Sequence, residues 1–341
     1  MKRVICREPG ILEQEETFLP DYGPEEVLVK IKKIGICGTD LHAFEGTQPF
    51  FSYPRVLGHE LACEIASLGD NVTGFKIGDV VTFIPYFPCF KCIACRSGKP
   101  NCCANIRGAG VHIDGGMAEY MSVPAYSLIP GNGLETDELA LVEPMAIGAH
   151  AVRITGISRD EYVIVAGAGP IGLGVMAFAR YQGAKVIAMD VVESRLEFSR
   201  KFFNTDFQVN PMENPLEKIR EITGGDMATV VIDATGNKKA IENSLNYLAH
   251  GGRITLVGLQ REPFSFSHPE FHKRETTLRS SRNATTEDFK LAVECMKSGF
   301  LNVKPLITNR IGFSNLADHF KTLLDPEQKV VKAMVEMEEQ G

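Results

Sequence analysis

Residues Tyr162–Gly172 read YVIVAGAGPIG, an apolar run that leads directly into the pattern G-x-G-x-x-G. The run predicts a buried strand, and the segment GLGVMAFARYQ that begins at Gly172 predicts a helix. At such a turn Gly167 allows a tight reversal, Gly169 lets the backbone approach a pyrophosphate, and Gly172 lets helix and strand pack closely. The stretch therefore predicts a dinucleotide-binding unit, with the free N–H groups of the helix N-terminus facing the phosphates.

Strands and helices alternate around this motif, from about residue 150 to residue 284. The helices include KKAIENSLNYLAH, and the predicted strands are YVIVAG, KVIAMD, TDFQVN, TVVIDATG, RITLVGL and TTLRSS. This alternation is typical of a doubly wound parallel sheet with right-handed crossovers. Beyond it, helices are predicted at 287–297 and 315–324, followed by a strand, KVVKAMVEM. We expect this tail to rejoin the first part of the chain, where short strands alternate with turns.

Asp190 ends the second predicted strand of the alternating region. At that position a carboxylate can accept hydrogen bonds from the adenosine ribose hydroxyls, and its charge repels a 2′-phosphate. The pattern therefore favours NAD over NADP. The alternative is a glycine-rich turn that binds no ligand. This alternative is weaker, because the strand, the helix and the acidic residue all lie where a dinucleotide site needs them.

A cluster of cysteines, CFKCIACRSGKPNCC, begins at Cys89 and has the spacing C-x2-C-x2-C-x7-C. Its thiolates, from Cys89, Cys92, Cys95 and Cys103, would complete a tetrahedral zinc site and leave no open position for chemistry. The spacing thus predicts a structural zinc lobe. Cys102 is a rival fourth ligand, and a redox pair or chance clustering are alternatives for the whole motif.

A second group of metal-binding residue types is spread over the first half of the chain. Cys37 lies in GICGTDLH, His59 and Glu60 in YPRVLGHE, and Glu143 in LVEP. Each alone is explained by burial or solvation. Together they supply the thiolate, imidazole and carboxylate of a catalytic zinc site, which needs about three protein ligands and one open position.

Composition describes an ordinary globular protein with two domains: 341 residues, 44% hydrophobic and a formal net charge of −7. This charge gives no electrostatic case for nucleic acid or an anionic membrane. A nucleic-acid-binding zinc ribbon remains the rival interpretation of the cysteines. The N-terminus lacks an apolar signal segment, and the uncharged run 162–179 carries glycines that suit a strand and turn better than a membrane span. We expect a soluble, cytoplasmic protein.

The motifs GICGTDLH, GHE, the cysteine lobe, DGGMAEY, VEP and GAGPIGL occur in the order seen in zinc-dependent medium-chain dehydrogenases, which the whole chain resembles. The resemblance implies an α/β plus β fold. A GroES-like, partly open β-barrel catalytic domain would comprise residues 1–148 completed by 285–341, with a Rossmann doubly wound parallel sheet inserted at 149–284.

The resemblance also implies the roles of individual residues and two zinc ions per chain. Cys37, His59 and either Glu143 or Glu60 would bind the catalytic zinc, as in the polyol and threonine dehydrogenase branch. Zinc would act on a substrate hydroxyl, NAD would accept hydride, and Thr39 and His42 would relay the released proton. The cofactor-binding residues would be Gly167, Gly169, Pro170, Ile171, Gly172, Asp190, Arg195, Leu259 and Ser281.

Three segments, GTQPFFSYPRVLGHE, HPEFHKRETT and SRNAT, are similar to bacterial L-galactonate 5-dehydrogenases, and this implies a sugar-acid substrate. Arg282, in SRNAT, would clamp the substrate carboxylate or instead pair with Glu143 or another carboxylate and only order the zinc site. Sorbitol, other polyol or threonine-type dehydrogenases are alternatives, as is a non-catalytic zinc- and NAD-binding protein. A homodimer or homotetramer is expected.

Overall fold

The computed structural model describes residues 1–337 and divides the chain into two compact units. Unit 1 comprises residues 1–143 and those from 285 onward, and unit 2 comprises residues 144–284. The sequence placed the first boundary between residues 148 and 149. The observed division falls earlier, because the helix Val142–Thr155 begins in unit 1 and continues into unit 2.

The strands, in chain order, are β1 (Lys2–Glu8), β2 (Ile11–Glu16), β3 (Glu26–Gly35), β4 (Arg55–Val56), β5 (Glu60–Leu68), β6 (Val80–Phe83), β7 (Tyr86–Phe87), β8 (Arg107–Gly108), β9 (Tyr120–Pro124), β10 (Leu128–Pro130), β11 (Tyr162–Ala166), β12 (Lys185–Met189), β13 (Phe207–Val209), β14 (Ala228–Asp233), β15 (Leu248–Leu256), β16 (Thr277–Ser280), β17 (Ile307–Gly312) and β18 (Lys332–Glu336).

The α-helices are α1 (Gly38–Phe44), α2 (Ile93–Arg96), α3 (Thr136–Ala140), α4 (Val142–Thr155), α5 (Pro170–Tyr181), α6 (Glu193–Phe203), α7 (Pro215–Ile222), α8 (Lys238–Asn243), α9 (His268–Lys273), α10 (Thr286–Lys297) and α11 (Leu316–His319). Within residues 1–337, no helix is both long and apolar enough to cross a membrane.

Unit 1 is built on a sheet of order β10-β6-β5-β3-β18-β17, with β9 also paired to β3. Leu61, Cys63 and Ile65 lie on one face of β5 and are buried in the core of this unit, because side chains along a strand alternate between its two faces. The last described strand, β18, pairs antiparallel with β3, so the chain returns at its end to the unit in which it begins. This pairing brings Lys332 of β18 to the carboxylate of Glu60 in β5.

Unit 2 is a parallel sheet of order β13-β12-β11-β14-β15-β16. Val163, Ile164 and Val165 of β11 are fully buried, because a central parallel strand is covered on both faces. The six strands predicted from the alternating pattern are confirmed, as is the strand, turn and helix at the glycine motif.

Two predicted helices are wrong in extent. The segment KKAIENSLNYLAH is helical only over Lys238–Asn243 and continues as a 3₁₀ turn, and Leu248 onward is β15. Pairing of Leu248 with Ala228 in β14 overrides the local helical pattern there. The predicted helix 315–324 consists instead of α11, flanked on each side by a 3₁₀ turn.

Candidate metal and cofactor sites

Cys37, His59 and Glu60 come together in unit 1, with one ligand atom from each lying within 4.8 Å of the others. Cys37 is the N-cap of α1, just beyond the end of β3, and Glu60 begins β5. Gly35 of β3 lies opposite Glu60 in the antiparallel ladder, and a Cβ on Gly35 would lie 2.3 Å from a Glu60 carboxylate oxygen. Strand pairing therefore brings the two ligand-bearing segments together, and a glycine is needed where they meet.

Asp40 ties these two segments to each other, although the sequence analysis did not single it out. It is fully buried, and its carboxylate accepts the N–H of Cys37 at 2.9 Å and that of Gly58 at 3.0 Å. The same carboxylate lies 3.8 Å from Nδ1 of His59. The acidic residue inside GICGTDLH was the available signal, since an aspartate in the first turn of a helix often bonds backbone N–H groups.

Lys332 is the second residue that the sequence analysis missed. Its side chain is 3% exposed, and its Nζ donates at 2.7 Å to each carboxylate oxygen of Glu60 and at 3.0 Å to the carbonyl of Ile36. All three ammonium protons therefore have acceptors. Burial acts to lower the pKa of Lys332, but the charges of Glu60 and Cys37 outweigh it and raise the pKa. A lysine within the apolar strand KVVKAMVEM was the available signal.

Glu143 is 3% exposed and lies in the first turn of α4, where it accepts a hydrogen bond from the hydroxyl of Tyr86. Burial, with smaller contributions from Glu60 and Cys37, raises the pKa of Glu143 to about 8, although His59 opposes this. The charges of the cluster therefore affect the ionisation of Glu143. The compact group of three candidate ligands, however, contains Glu60 and not Glu143. Both candidate carboxylates already have a protein partner.

The donor set suits a zinc ion. Nδ1 of His59 is buried without a hydrogen-bond partner among the described residues and lies 3.8 Å from the Asp40 carboxylate. A metal-binding histidine turns its second ring nitrogen to a carboxylate in this way, so Nε2 is the nitrogen left for the metal. Burial, followed by the charge of Glu60, raises the pKa of Cys37 to about 12. A bound cation would oppose this shift, because it favours the thiolate, and binding would release a proton.

The cysteine cluster forms a separate site in unit 1. Ligand atoms of Cys89, Cys92, Cys95 and Cys103 lie within 4.8 Å of one another, and Cys102 is exposed outside the group. Sγ of Cys92 lies 3.5 Å from that of Cys95 and 3.9 Å from that of Cys103, whereas a disulfide would need about 2.05 Å. The geometry is that of a closed four-thiolate site.

Backbone N–H groups point at the sulfur atoms of this cluster. Sγ of Cys103 accepts from Cys89 at 3.2 Å and from Asn105 at 3.3 Å. The N–H groups of Lys91 and Cys92 lower the pKa of Cys89 to about 6. These N–H groups stabilise the thiolate of Cys89, whereas burial and the neighbouring Cys92 and Cys103 raise the pKa of Cys95 to about 12. A bound zinc would oppose the second shift, because a cation favours the thiolate.

Thr39 and His42 lie three residues apart on α1, hence on one face of that helix. The side chain of His42 is 63% exposed, and its Nδ1 lies 3.6 Å from a carboxylate oxygen of Glu45 and 3.3 Å from the hydroxyl of Thr47. An exposed imidazole on the helix that begins at Cys37 can exchange protons with water.

The glycine loop of unit 2 has the geometry of a phosphate cradle. Gly167 has φ +95°, and a Cβ on Gly172 would lie 1.7 Å from the carbonyl oxygen of Gly167, so both positions require glycine. A Cβ on Gly169 would meet nothing within 4 Å, which leaves the backbone open to a ligand. Pro170 and Ile171 then begin α5, whose unpaired N–H groups face the same space.

Asp190 closes the loop from the side of β12. Its carboxylate accepts the N–H of Ala168 at 2.8 Å and that of Val192 at 2.9 Å. Of the other predicted cofactor residues, Arg195 is exposed on α6, Leu259 is 58% exposed, and the hydroxyl of Ser281 is buried without a partner among the described residues. Arg282 is exposed directly after Ser281, in unit 2.

The Cys37–His59–Glu60 cluster and the glycine loop together suit a dehydrogenase that works with a bound metal and a dinucleotide. The chain belongs to the zinc-binding alcohol dehydrogenase family: residues 23–133 match the alcohol dehydrogenase GroES-like domain and residues 170–298 match the zinc-binding dehydrogenase domain. It is an oxidoreductase of CH–OH groups that uses zinc and NAD. The predicted fold class, a GroES-like domain with an inserted Rossmann sheet, is confirmed.

Individual relatives extend over almost the whole chain. The L-galactonate-5-dehydrogenase of Escherichia coli K12 is 44% identical over 335 residues, which are 98% of each chain. An alcohol dehydrogenase from Escherichia coli CFT073, solved with NADH, has a TM-score of 0.92 at 29% identity, covering 98% of this chain and 99% of that one. Galactitol-1-phosphate dehydrogenase from Escherichia coli has a TM-score of 0.91 at 26% identity, covering 98% and 100%.

Proposed function

We propose that this protein oxidises a secondary hydroxyl of a sugar acid with NAD. The observation that carries the proposal is the buried Cys37–His59–Glu60 cluster, in a chain 44% identical to an L-galactonate-5-dehydrogenase. Unit 1 is the zinc-bearing catalytic domain and unit 2 the NAD-binding domain. Cys89, Cys92, Cys95 and Cys103 hold a second, structural zinc, which leaves chemistry to the first site.

Cys37, His59 and Glu143 hold the catalytic zinc in this proposal. Drawing Glu60 away from Lys332 would leave a buried charge without its partner, at a cost of about 3–5 kcal/mol. Drawing Glu143 away from Tyr86 would break one hydrogen bond, a loss of about 0.5–1.5 kcal/mol. Glu143 is therefore the third ligand, and Glu60 stays with Lys332 beside the metal.

Zinc supplies Lewis acidity that lowers the pKa of the substrate hydroxyl, and NAD supplies the hydride acceptor. The residues of the chain do the rest. Thr39 and the exposed imidazole of His42 carry the released proton to water. The glycine loop and Asp190 hold the adenosine and pyrophosphate portions of the cofactor. Ser281, whose buried hydroxyl has no hydrogen-bond partner among the described residues, offers the cofactor a further polar group.

Arg282 holds the substrate carboxylate through two parallel charge-assisted hydrogen bonds, an arrangement that a neutral polyol cannot reproduce. Arg282→Lys keeps the charge but loses the planar fork. We expect kcat/KM to fall for a sugar acid by a factor that corresponds to a loss of about 1–3 kcal/mol of transition-state stabilisation. The loss for the matching neutral polyol should be much smaller. Equal losses on both substrates would mean that Arg282 orders the site instead of holding substrate.

The decisive experiment is a panel of L-galactonate, other sugar acids, galactitol and sorbitol, followed by NADH absorbance with the zinc-loaded protein. The proposal expects the highest kcat/KM with a sugar acid. A preference for neutral polyols would replace it by a polyol dehydrogenase, and absence of NADH formation with every substrate would favour a non-catalytic protein.

We also place the protein in the cytoplasm as a homodimer or homotetramer. None of the nine cysteines forms a disulfide, as suits a reducing compartment. Light scattering coupled to size-exclusion chromatography measures the mass of the assembly, and a monomer would contradict this part of the proposal.

A further inference from the structure

We propose that Asp233 is a positioning residue for the nicotinamide half of NAD. It does so by holding the loop 234–237 against the glycine loop. The inference rests on the proposed use of NAD and adds a residue to the site that the sequence motifs do not indicate. It is carried by the place of Asp233 in the sheet and by the hydrogen bonds of its carboxylate.

Asp233 is the last residue of β14, and its side chain is fully buried. In the order β13-β12-β11-β14-β15-β16, the chain direction across the sheet reverses between β11 and β14. In doubly wound sheets the dinucleotide lies across the crevice at this switch point, one mononucleotide on each half. Asp233 lies opposite Ala166, the last residue of β11, and so stands at the crevice on the half that begins with β14.

The carboxylate of Asp233 organises the loop that follows it. One oxygen accepts the hydroxyl of Thr235 at 2.7 Å, and the other accepts the N–H of Gly236 at 3.0 Å. The Thr235 hydroxyl in turn accepts the N–H of Asn237 at 2.9 Å, and the Asn237 side chain caps α8. One buried acid therefore sets the loop and the start of the next helix.

A second loop is attached to the same residue. The backbone carbonyl of Asp233 accepts the N–H of Val257 at 2.8 Å and that of Gly258 at 3.1 Å, immediately after β15. A Cβ on Gly236 would lie 2.6 Å from the carbonyl oxygen of Leu259, so the two loops are in direct contact. The loops after β14 and β15 consequently move with Asp233.

The loop 234–237 also touches the glycine loop. A Cβ on Gly167 would lie 3.0 Å from the Thr235 methyl and 3.2 Å from the backbone of Ala234. The N–H of Ala234 bonds the carbonyl of Ala166 at 2.8 Å. Displacing Thr235 would therefore change the surface against which the nicotinamide mononucleotide of NAD lies. The hydrogen bonds of Asp190 would stay in place.

Two aspartates thus flank the glycine loop from opposite strands. Asp190, at the end of β12, bonds Ala168 within that loop and serves the adenosine side. Asp233, at the end of β14, supports the loop 234–237 on the other side. The roles of Asp190 and Asp233 can therefore be distinguished by comparing a ligand that fills only the adenosine half of the site with one that fills both halves.

Isothermal titration calorimetry of the zinc-loaded full-length protein with NADH and with AMP tests this separation. We expect Asp233→Ala to weaken NADH binding about tenfold, because the loop 234–237 loses the two hydrogen bonds that hold it, and to leave AMP binding unchanged. Thr235→Val, which keeps the acid, should act in the same direction. Asp190→Ala should weaken both ligands, and Asp226→Ala, at an exposed aspartate of unit 2, should weaken neither.

The outcomes distinguish this inference from the proposed function. Equal weakening of AMP and NADH in Asp233→Ala would mean a general structural role and would overturn the inference, as would unchanged NADH binding. If Asp233→Ala fails to fold, the same pattern measured on Thr235→Val decides. A wild-type protein that binds neither ligand would overturn the use of NAD itself.

Discussion

Lys332 donates a hydrogen bond of 2.7 Å to each carboxylate oxygen of Glu60, and the two residues lie 272 positions apart in the chain. Their side chains are 3% and 0% exposed. The same ammonium bonds the carbonyl of Ile36, immediately before Cys37. The strand β18 thus holds the segments that begin at Ile36 and at His59, which carry the proposed ligands of the catalytic metal.

Lys332→Met should lower the free energy of unfolding by about 3–5 kcal/mol, because it leaves the buried carboxylate of Glu60 without a counter-charge. The double variant Lys332→Met/Glu60→Gln should recover most of this loss. Urea unfolding of the chelator-treated protein, followed by circular dichroism, measures both. Lys321→Met, at an exposed lysine of unit 1, is the matched control. A double variant as unstable as the single one would show that the pair does not set stability.

The two metal sites should respond differently to serine substitution. Cys37→Ser should abolish activity with little change in the thermal midpoint, since the open site performs chemistry. Cys92→Ser should lower the thermal midpoint or prevent assembly, because a structural zinc contributes to folding free energy. Metal analysis should find one zinc lost in each. Similar thermal destabilisation in both variants, with activity retained, would contradict the division of roles.

Asp190→Asn should narrow the preference for NAD over NADP, because it removes the charge that repels a 2′-phosphate. The amide retains an oxygen that can accept the N–H of Ala168, so the glycine loop should keep its shape. The ratio of kcat/KM for the two cofactors is the measurement. A wild-type protein that prefers NADP would show that Asp190 does not select the cofactor.

Glu161 should make unit 2 sensitive to acid. It accepts from both terminal nitrogens of Arg253, at 3.0 and 2.7 Å, and from Ser158 and Thr229. Burial opposes ionisation, but these donors outweigh it and hold the pKa of Glu161 below its ordinary value. The stabilisation is therefore complete above the unfolded value of about 4.3 and is lost as pH falls through the lower folded pKa.

Glu161→Gln should consequently reduce the free energy of unfolding by about 2 kcal/mol at neutral pH. The difference from wild type should shrink below about pH 4, where the wild-type carboxylate becomes protonated. Urea unfolding at a series of pH values checks this, with Glu217→Gln at an exposed position as the control. A difference that grows on acidification would reverse the assigned sign.

Several features of the two sites could be predicted from short stretches of sequence. The cysteine cluster spans a single short loop, and the spacing of Cys89, Cys92, Cys95 and Cys103 already limits how far apart their sulfur atoms can lie. The glycine turn is equally local, because a positive φ at Gly167 and the close approach at Gly172 leave few other residues possible. The six strands of unit 2 were likewise predicted from their alternation with helices.

Tertiary structure alone decided which residues complete these sites. Lys332 meets Glu60 because β18 pairs with β3, and β3 pairs with β5, a consequence of long-range strand pairing that no local spacing contains. Pairing with β14 likewise turned Leu248 from a predicted helix into a strand. Sequence determined the chemistry of the ligands and the local turns that present them, since these depend on a few neighbouring residues. The fold determined the partner of each buried charge, because a charge removed from water must find its counterpart wherever the sheets bring one.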